Sequence, residues 1–215
     1  MTTLALIDYG SGNLHSAERA LRAAASLAHS DMTIEVTSDS RRVATADRIV
    51  LPGVGHFADC AAGLRAVGGM TDALEAAVIS GGKPFLGICV GMQLMAEWGL
   101  EDGKTPGLGW IAGDVRRIEP GAGLAVPHMG WNGLLLQQDH HPVLMGLGDD
   151  PHVYFTHSYA MVPANSPDIA ATAEYGKPIT AAVARDNMFG TQFHPEKSQR
   201  IGLQLLANFL TWDPS

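Results

Sequence analysis

The chain has 215 residues, 46% of them hydrophobic and 17% charged, and a formal net charge of −8 from 14 Lys and Arg against 22 Asp and Glu. That balance fits a folded enzyme with a proper core and excludes a disordered chain. With an acidic balance and no long basic run, it also argues against nucleic acid or an anionic membrane as the main partner.

The N-terminal "MTTLALIDYGSGN" lacks a basic lead, and its apolar run stops at Asp8, so no standard signal peptide is expected. No stretch approaches the length of a membrane span. "TLALID" (3–8) reads as a short strand closed by the turn signal Tyr9-Gly10-Ser11-Gly12. Leu14, Ala17, Leu21, Ala24 and Ala28 then recur at helical spacing. "MTIEVTS" (32–38) alternates as a strand, and "RIVLPG" (48–53) is an apolar run closed by Pro-Gly. Ala- and Leu-bearing segments between Phe57 and Ile79 predict helix, "PFLGI" (84–88) the next strand, and Gly91 to Trp98 another helix. This alternation predicts an α/β fold with a mostly parallel sheet flanked by helices. Between Gly107 and His194 the character changes. "WIAGDVRRI", "HVYFTHSYAMV", "ITAAVA" and "MFGTQF" predict additional antiparallel or mixed strands, and the chain ends in a helix over Gln199 to Phe209. Without repeats, low-complexity tracts or linkers, residues 1–215 read as a single domain.

The chemistry centres on "GKPFLGICVGMQLM" (82–95). A strand running into G-x-C-x-G and then a helix has the form of a nucleophile elbow, with sulfur in place of oxygen. Gly87 and Gly91 leave room for a sharp turn that lifts Cys89 from the sheet edge. The N–H of Val90 then points to where an oxyanion forms, and the helix start draws the thiol below its free value of about 8.5. Taken alone, Cys89 is equally a packed small hydrophobe. Cys60, in "FADCAAGL", lies within an apolar helical pattern and reads as core. Two cysteines make no disulfide framework, so reduced thiols in a cytoplasmic protein are expected.

Among nine histidines, His140 and His141 read as a surface loop, and His15 and His29 as solvated. His56, His128, His152 and His157 lie near loops of interest. His194 differs, because Glu196 follows two residues later in "GTQFHPEKS". In the extended backbone that Pro195 favours, both side chains project to one side, so the carboxylate can fix the imidazole tautomer. Together with the cysteine turn this makes a Cys–His–Glu triad candidate. The order differs from that of α/β-hydrolases, where a distant acid precedes the histidine. "DYGSGN" begins like a dinucleotide loop, but His15 stands where the last glycine of G-x-G-x-x-G belongs, which leaves that reading weak.

"GICVGMQ" with a downstream "QFHPE" resembles the signature pair of the class I, triad-type glutamine amidotransferases. The likeness runs nearly end to end through "IDYGSGNL" (7–14), "LPGVGHF" (51–57), "GLGWI" (107–111), "PHMGWN" (127–132), "YFTHSY" (154–159) and "QFHPEKS" (192–198). The resemblance implies a flavodoxin-like fold. It implies that Cys89 attacks the side-chain amide of glutamine, with His194 as base and then acid and Glu196 orienting it. It further implies Val54 and Val90 N–H groups as the oxyanion hole, and Gly53, Gln93, Ser158 and Tyr159 as glutamine contacts. Asn13, Trp131 and Tyr154 are implied to face a partner. No metal or organic cofactor is implied. A chain of 215 residues leaves no room for a phosphate-handling (β/α)₈ unit beside this one, so the acceptor chemistry is expected in a separate chain, and the resemblance implies that this partner is a cyclase subunit that takes the ammonia in a heterodimer.

Overall fold

Four strands in the first half of the chain become parallel neighbours, each leading into a helix. The computed structural model describes residues 2–214. Strand β1 (Thr3–Ile7) leads into helix α1 (Leu14–Leu27), β2 (Thr33–Thr37) into α2 (Ser40–Thr45), and β3 (Arg48–Gly53) into α3 (Phe57–Ala66). Helix α4 (Met70–Leu74) widens into a π turn over Glu75–Ser80, and then β4 (Phe85–Cys89) meets the one-turn helix α5 (Val90–Gln93). Asn13 and Asp39 cap α1 and α2 with their side chains, a local reason for each helix to start there.

Beyond α5 come β5 (Ala96–Gly99), β6 (Thr105–Pro106), β7 (Ile111–Arg117), β8 (His128–Gly133) and β9 (Leu135–Leu136). They are followed by β10 (His152–His157), β11 (Tyr159–Pro163), β12 (Ile169–Glu174), β13 (Pro178–Arg185) and β14 (Met188–Thr191), and the chain closes with α6 (Gln199–Thr211). The main sheet has eight strands in the order β2-β1-β3-β4-β14-β13-β12-β9. It is parallel from β2 to β14 and antiparallel from there to β9. A pair, β10-β8, and a four-stranded sheet, β11-β7-β5-β6, form two smaller sheets, antiparallel throughout except where β5 runs parallel to β7.

Helices α1 and α6 lie side by side against the main sheet. Its core is filled by fully buried Leu4, Leu6, Ile49, Leu51, Phe85 and Phe189 among others. Burying such side chains contributes roughly 1.5–3 kcal/mol each. Strands β1, β3 and β4 read as largely apolar runs because the sheet is covered on both faces there, whereas β2, at the edge, alternates.

The predicted helix over residues 91–98 is a correction. Only one turn forms, and Ala96–Gly99 instead pairs in parallel with β7 and antiparallel with β6. The backbone there is claimed by tertiary partners, with Gly107 N–H donating to the Glu97 carbonyl and Trp110 N–H to the Met95 carbonyl. The "HVYFTHSYAMV" segment also splits at Ser158, into strands belonging to two different sheets.

Candidate active site

At the end of β4 the backbone of Cys89 takes φ 54° and ψ −113°, a conformation rare for any residue but glycine. Such a residue costs about 1–3 kcal/mol, and it persists because the surroundings over-determine it. A Cβ on Gly91 would lie 1.9 Å from the Leu51 carbonyl oxygen, and one on Gly87 would lie 2.7 Å from the Gly91 oxygen. With no Cβ at either position, α5 packs directly on β3 and the chain can reverse sharply at the cysteine. The Cys89 side chain therefore stands at the carboxyl edge of the parallel sheet, beside Gly53, its register partner on β3.

His194 follows β14 by a few residues, and its N–H donates to the Tyr154 carbonyl at 3.0 Å. The expected extended backbone holds only for His194 itself. Pro195–Lys197 forms a 3₁₀ turn closed by Lys197 N–H to the His194 carbonyl at 3.0 Å. That turn folds the Glu196 carboxylate back onto the ring, placing Oε1 2.8 Å from His194 Nδ1. The pair is buried, with side-chain exposures of 2% and 3%. Ser198 Oγ donates to the His194 carbonyl at 2.6 Å and so fixes the turn from below.

Burial works against a charged His194. Hydrogen bonds to Cys89 and Glu196, and the charges of those two groups, overcome it and raise the imidazole to about 9. An imidazole so placed can take the thiol proton and keep it, leaving a thiolate beside an imidazolium. Gln192 Nε2 approaches Cys89 Sγ at 3.8 Å from the other side.

Val90 opens α5 next to Cys89 and lines the cleft; Val54 lines its rim, 40% exposed. The Val54 N–H is engaged by Ser11 Oγ at 3.4 Å, and the Ser11 hydroxyl donates to the Val54 carbonyl at 2.7 Å. Cys60 is buried as expected, yet its thiol does more than pack. It stands 3.2 Å from Ser11 Oγ and 3.4 Å from the Val54 carbonyl, and burial pushes it up in pKa. Gly53 lies beneath the cleft rather than on its wall, and a Cβ there would meet both Gly91 N and the Tyr9 hydroxyl at 2.8 Å. Gly55 is open, with φ +100° and nothing within 4 Å of its Cβ position.

The cleft has a volume of about 560 Å³, and Gln93, Ser158 and Tyr159 lie on its wall. Gln93 Nε2 donates to the Tyr159 carbonyl at 3.0 Å and to Gln192 Oε1 at 3.0 Å. Both partners are acceptors there, so the amide nitrogen faces inward and Oε1 is left for the cleft.

The structure also adds residues. Glu101 lines the cleft and caps α3 through Phe57 N–H at 2.9 Å, and Lys197 lines it opposite. Glu101 comes from an irregular loop, and only its apposition to Phe57 in three dimensions reveals it. His157 is on the wall and is bonded to His128. His141 is a further correction. It is half-buried against Phe189 and Trp212, accepts from Val143 N–H at 3.2 Å, and burial lowers it to about 4.

Around the mouth, Asn13 is exposed at the rim, and Trp131 is 49% exposed on β8. Trp131 and Tyr154 are register partners, with ring centroids 6.1 Å apart at 75°, and Lys197 Nζ sits 5.9 Å from the Tyr154 ring. Met129, two residues before Trp131 and on the same strand face, is 62% exposed. Among the described residues, no three His, Cys, Asp or Glu side chains gather as a metal site, and no helix is long and apolar enough to cross a membrane.

Residues 5–212 match the class-I glutamine amidotransferase family. The imidazole glycerol phosphate synthase subunit HisH of Brucella suis biovar 1 is 56% identical over 215 residues, covering 98% of this chain and 99% of that one. Its counterpart from Caulobacter vibrioides is 56% identical over 215 residues, covering 100% of both. Among solved structures, a glutamine amidotransferase superposes with a TM-score of 0.70 at 17% identity, covering 94% of this chain and 98% of that one. A glutamine amidotransferase from Thermotoga maritima gives 0.62 at 17% identity, covering 91% of this chain and 76% of that one. At those identities the two structures speak to the fold alone.

Proposed function

The chain belongs to the class-I glutamine amidotransferase family, and we propose that it is the glutaminase subunit of an imidazole glycerol phosphate synthase, its residues 1–215 acting as one glutaminase domain. What carries the reading is one juxtaposition: Cys89 on a strained turn, and the buried His194–Glu196 pair, brought to a single cleft from opposite halves of the chain.

The chemistry follows from those groups. Cys89 Sγ, its proton already held by His194, attacks the side-chain amide carbon of glutamine and forms a C–S bond. His194 returns that proton to the amide nitrogen as the C–N bond breaks, releasing ammonia and leaving a glutamyl thioester. Water, deprotonated by the same imidazole, then cleaves the thioester to glutamate. General acid–base help of this kind is worth roughly 10²–10⁴-fold. Glu196 keeps the imidazole in one tautomer and stabilises its charged form.

Gln93 Oε1 and the backbone of Ser158 and Tyr159 hold the substrate, and the Glu101 carboxylate meets its ammonium group. The Val90 N–H is one oxyanion donor. The Val54 N–H is the second, and it serves only after it leaves Ser11, so the unpartnered chain rests in a low-activity state. Asn13, Trp131 and Tyr154 form part of the face that receives the cyclase subunit. Free ammonia is mostly protonated in neutral water, and transfer within the heterodimer keeps it nucleophilic. The cyclase uses it to convert a phosphoribulosyl substrate, PRFAR, into imidazole glycerol phosphate and AICAR in the cytoplasm, a step of histidine biosynthesis.

The test is glutamine hydrolysis by the chain alone and with PRFAR and the cyclase subunit. We expect a weak rate alone and a rise of about 10²-fold in the complex, the worth of one oxyanion donor. A complex that leaves glutamine intact overturns the assignment, and full activity without the partner overturns the resting state. Trp131→Ala should raise the dissociation constant for the cyclase by about tenfold or more, as loss of a central aromatic anchor does. An unchanged constant removes the aromatic pair from the interface.

A further inference from the structure

Beside the triad, the cleft wall is backed by two buried histidines that have no part in the steps above. His157, on β10, and His128, its register partner on β8, are 6% and 3% exposed. His157 Nδ1 lies 2.9 Å from the Tyr159 carbonyl oxygen, and His157 Nε2 lies 3.0 Å from His128 Nδ1. His128 Nε2 is 3.2 Å from Asn132 Nδ2, which also donates to the Glu174 carbonyl at 2.9 Å. The Asn132 Oδ1 accepts the Gly133 N–H at 2.8 Å, so the orientation of that amide is set from both ends.

These contacts leave one arrangement of protons. A carbonyl oxygen only accepts, so His157 Nδ1 carries a hydrogen and, in the neutral ring, Nε2 carries a lone pair. His128 Nδ1 must then donate to that lone pair, and its own Nε2 accepts from Asn132. Every donor thus points one way, from Asn132 through His128 and His157 to the Tyr159 carbonyl. An added proton on either ring would set two N–H groups against each other. The rings are suited to neutrality: His128 is stacked at 4.6 Å on Phe155 and lies 4.1 Å from the Tyr175 ring. Among the described residues no carboxylate bonds to either imidazole. Burial lowers both to about 4, and at His157 the like charges of His128 and His194 add to it against the Tyr159 carbonyl, which favours the proton.

The end of this chain is the Tyr159 carbonyl, which also accepts Gln93 Nε2 at 3.0 Å. We infer that His157 and His128 are positioning residues for glutamine: two neutral imidazoles, both in the Nδ1–H form, fix the Tyr159 carbonyl, which in turn fixes the Gln93 amide with its oxygen toward the substrate. The two donors saturate that carbonyl, so the Gln93 amide cannot turn over without leaving an N–H unpaired. The wall then offers an acceptor to the substrate amide N–H₂. A carboxylate at the same place, as in the product glutamate, would meet oxygen against oxygen.

This inference rests on the glutaminase reading for its kinetic part and on the structure alone for its tautomers. Long-range ¹⁵N–¹H spectra of the full chain with ¹⁵N-histidine, assigned through His157→Asn and His128→Asn, should place both rings in the Nδ1–H form and neutral from pH 5 to 8. An Nε2–H pattern, or titration of either ring within that range, overturns the proposal whatever the enzyme's activity. In the complex with the cyclase subunit, His157→Leu should raise KM for glutamine about tenfold with a smaller change in kcat, the loss of one neutral hydrogen bond. His157→Asn, whose Nδ2 can take the place of Nδ1 and donate to the Tyr159 carbonyl, should restore most of that loss. Equal KM values for the leucine, asparagine and wild-type chains overturn it. A wild-type complex that does not hydrolyse glutamine strikes the functional assignment instead, and the spectra then decide this one.

Discussion

His194 and His157 line the same cleft and both are buried, yet one is raised to about 9 and the other lowered to about 4. Burial pushes both down; what differs is the partner. His194 has a carboxylate at 2.8 Å on one nitrogen and a thiol on the other side, and both favour the proton. His157 has a carbonyl on one nitrogen and a second imidazole on the other, and the second imidazole gains nothing from charge. One wall is therefore built to hold and move a proton, and the other to refuse it. The lesson is that burial alone does not set the charge of a histidine; the next hydrogen-bonding group does.

Three experiments press on that contrast. The largest effect belongs to Cys89→Ala, which removes the nucleophile and one of the groups that charge His194. Glutamine-dependent synthesis in the complex should fall by roughly 10⁴-fold or more, while synthesis from added ammonia persists. Loss of both would place the cysteine's role in folding or in the partner.

Glu196→Gln comes next and makes the two walls more alike, by giving His194 a neutral neighbour. Glutamine hydrolysis should drop about 10²–10⁴-fold. The alkaline limb of kcat/KM should move as well. With the imidazole at about 9 the acid form lasts through neutral pH and is lost above it. Without the carboxylate, burial is less opposed, so the limb should shift to lower pH. A limb that stays near 9 would mean that Glu196 does not support the charge.

The smallest effect is on stability in acid. His128 and His157 hold folded values of about 4 against an ordinary 6.5, so between those limits the unfolded chain binds more protons. Stability should therefore fall as pH drops from about 6.5 toward 4, with a slope of up to about 1.4 kcal/mol per pH unit for each ring. Denaturant titrations at several pH values measure it, and His157→Asn should show a shallower slope. A variant as acid-sensitive as the wild type would assign the loss to His141, which burial also lowers to about 4, or to carboxylates elsewhere.

How far the sequence revealed these walls depends on how local their signals are. Strands β1, β3 and β4 are apolar runs of the length a covered parallel strand needs, and "GICVG" carries its own geometry because both glycines are forced by close approach to neighbouring backbone. "HPE" puts a base and its acid two residues apart. These features were legible because the interacting groups are neighbours in the chain. The strand Ala96–Gly99 was not, since its apolar spacing suits a helix and only β6 and β7 draw it out. The His128–His157 pair comes from the register of two strands well separated in sequence, and no spacing rule anticipates it. The same holds for Ser11 and Cys60 gripping the Val54 peptide. The Glu196 carboxylate meets the His194 ring through a 3₁₀ turn in place of the extended segment that the sequence suggests.

The "PGVG" segment has a mechanical consequence. Gly53 is clamped as a rung of the sheet opposite Cys89, its Cβ side filled by Gly91 and Tyr9, whereas Gly55 stands in open space. The segment is thus a short lever with a fixed fulcrum and a free tip, and its travel is confined to the torsions between the two glycines. Reaiming the Val54 peptide about these two glycines requires no movement of the nucleophile's strand, which stays in register with Gly53 beneath it.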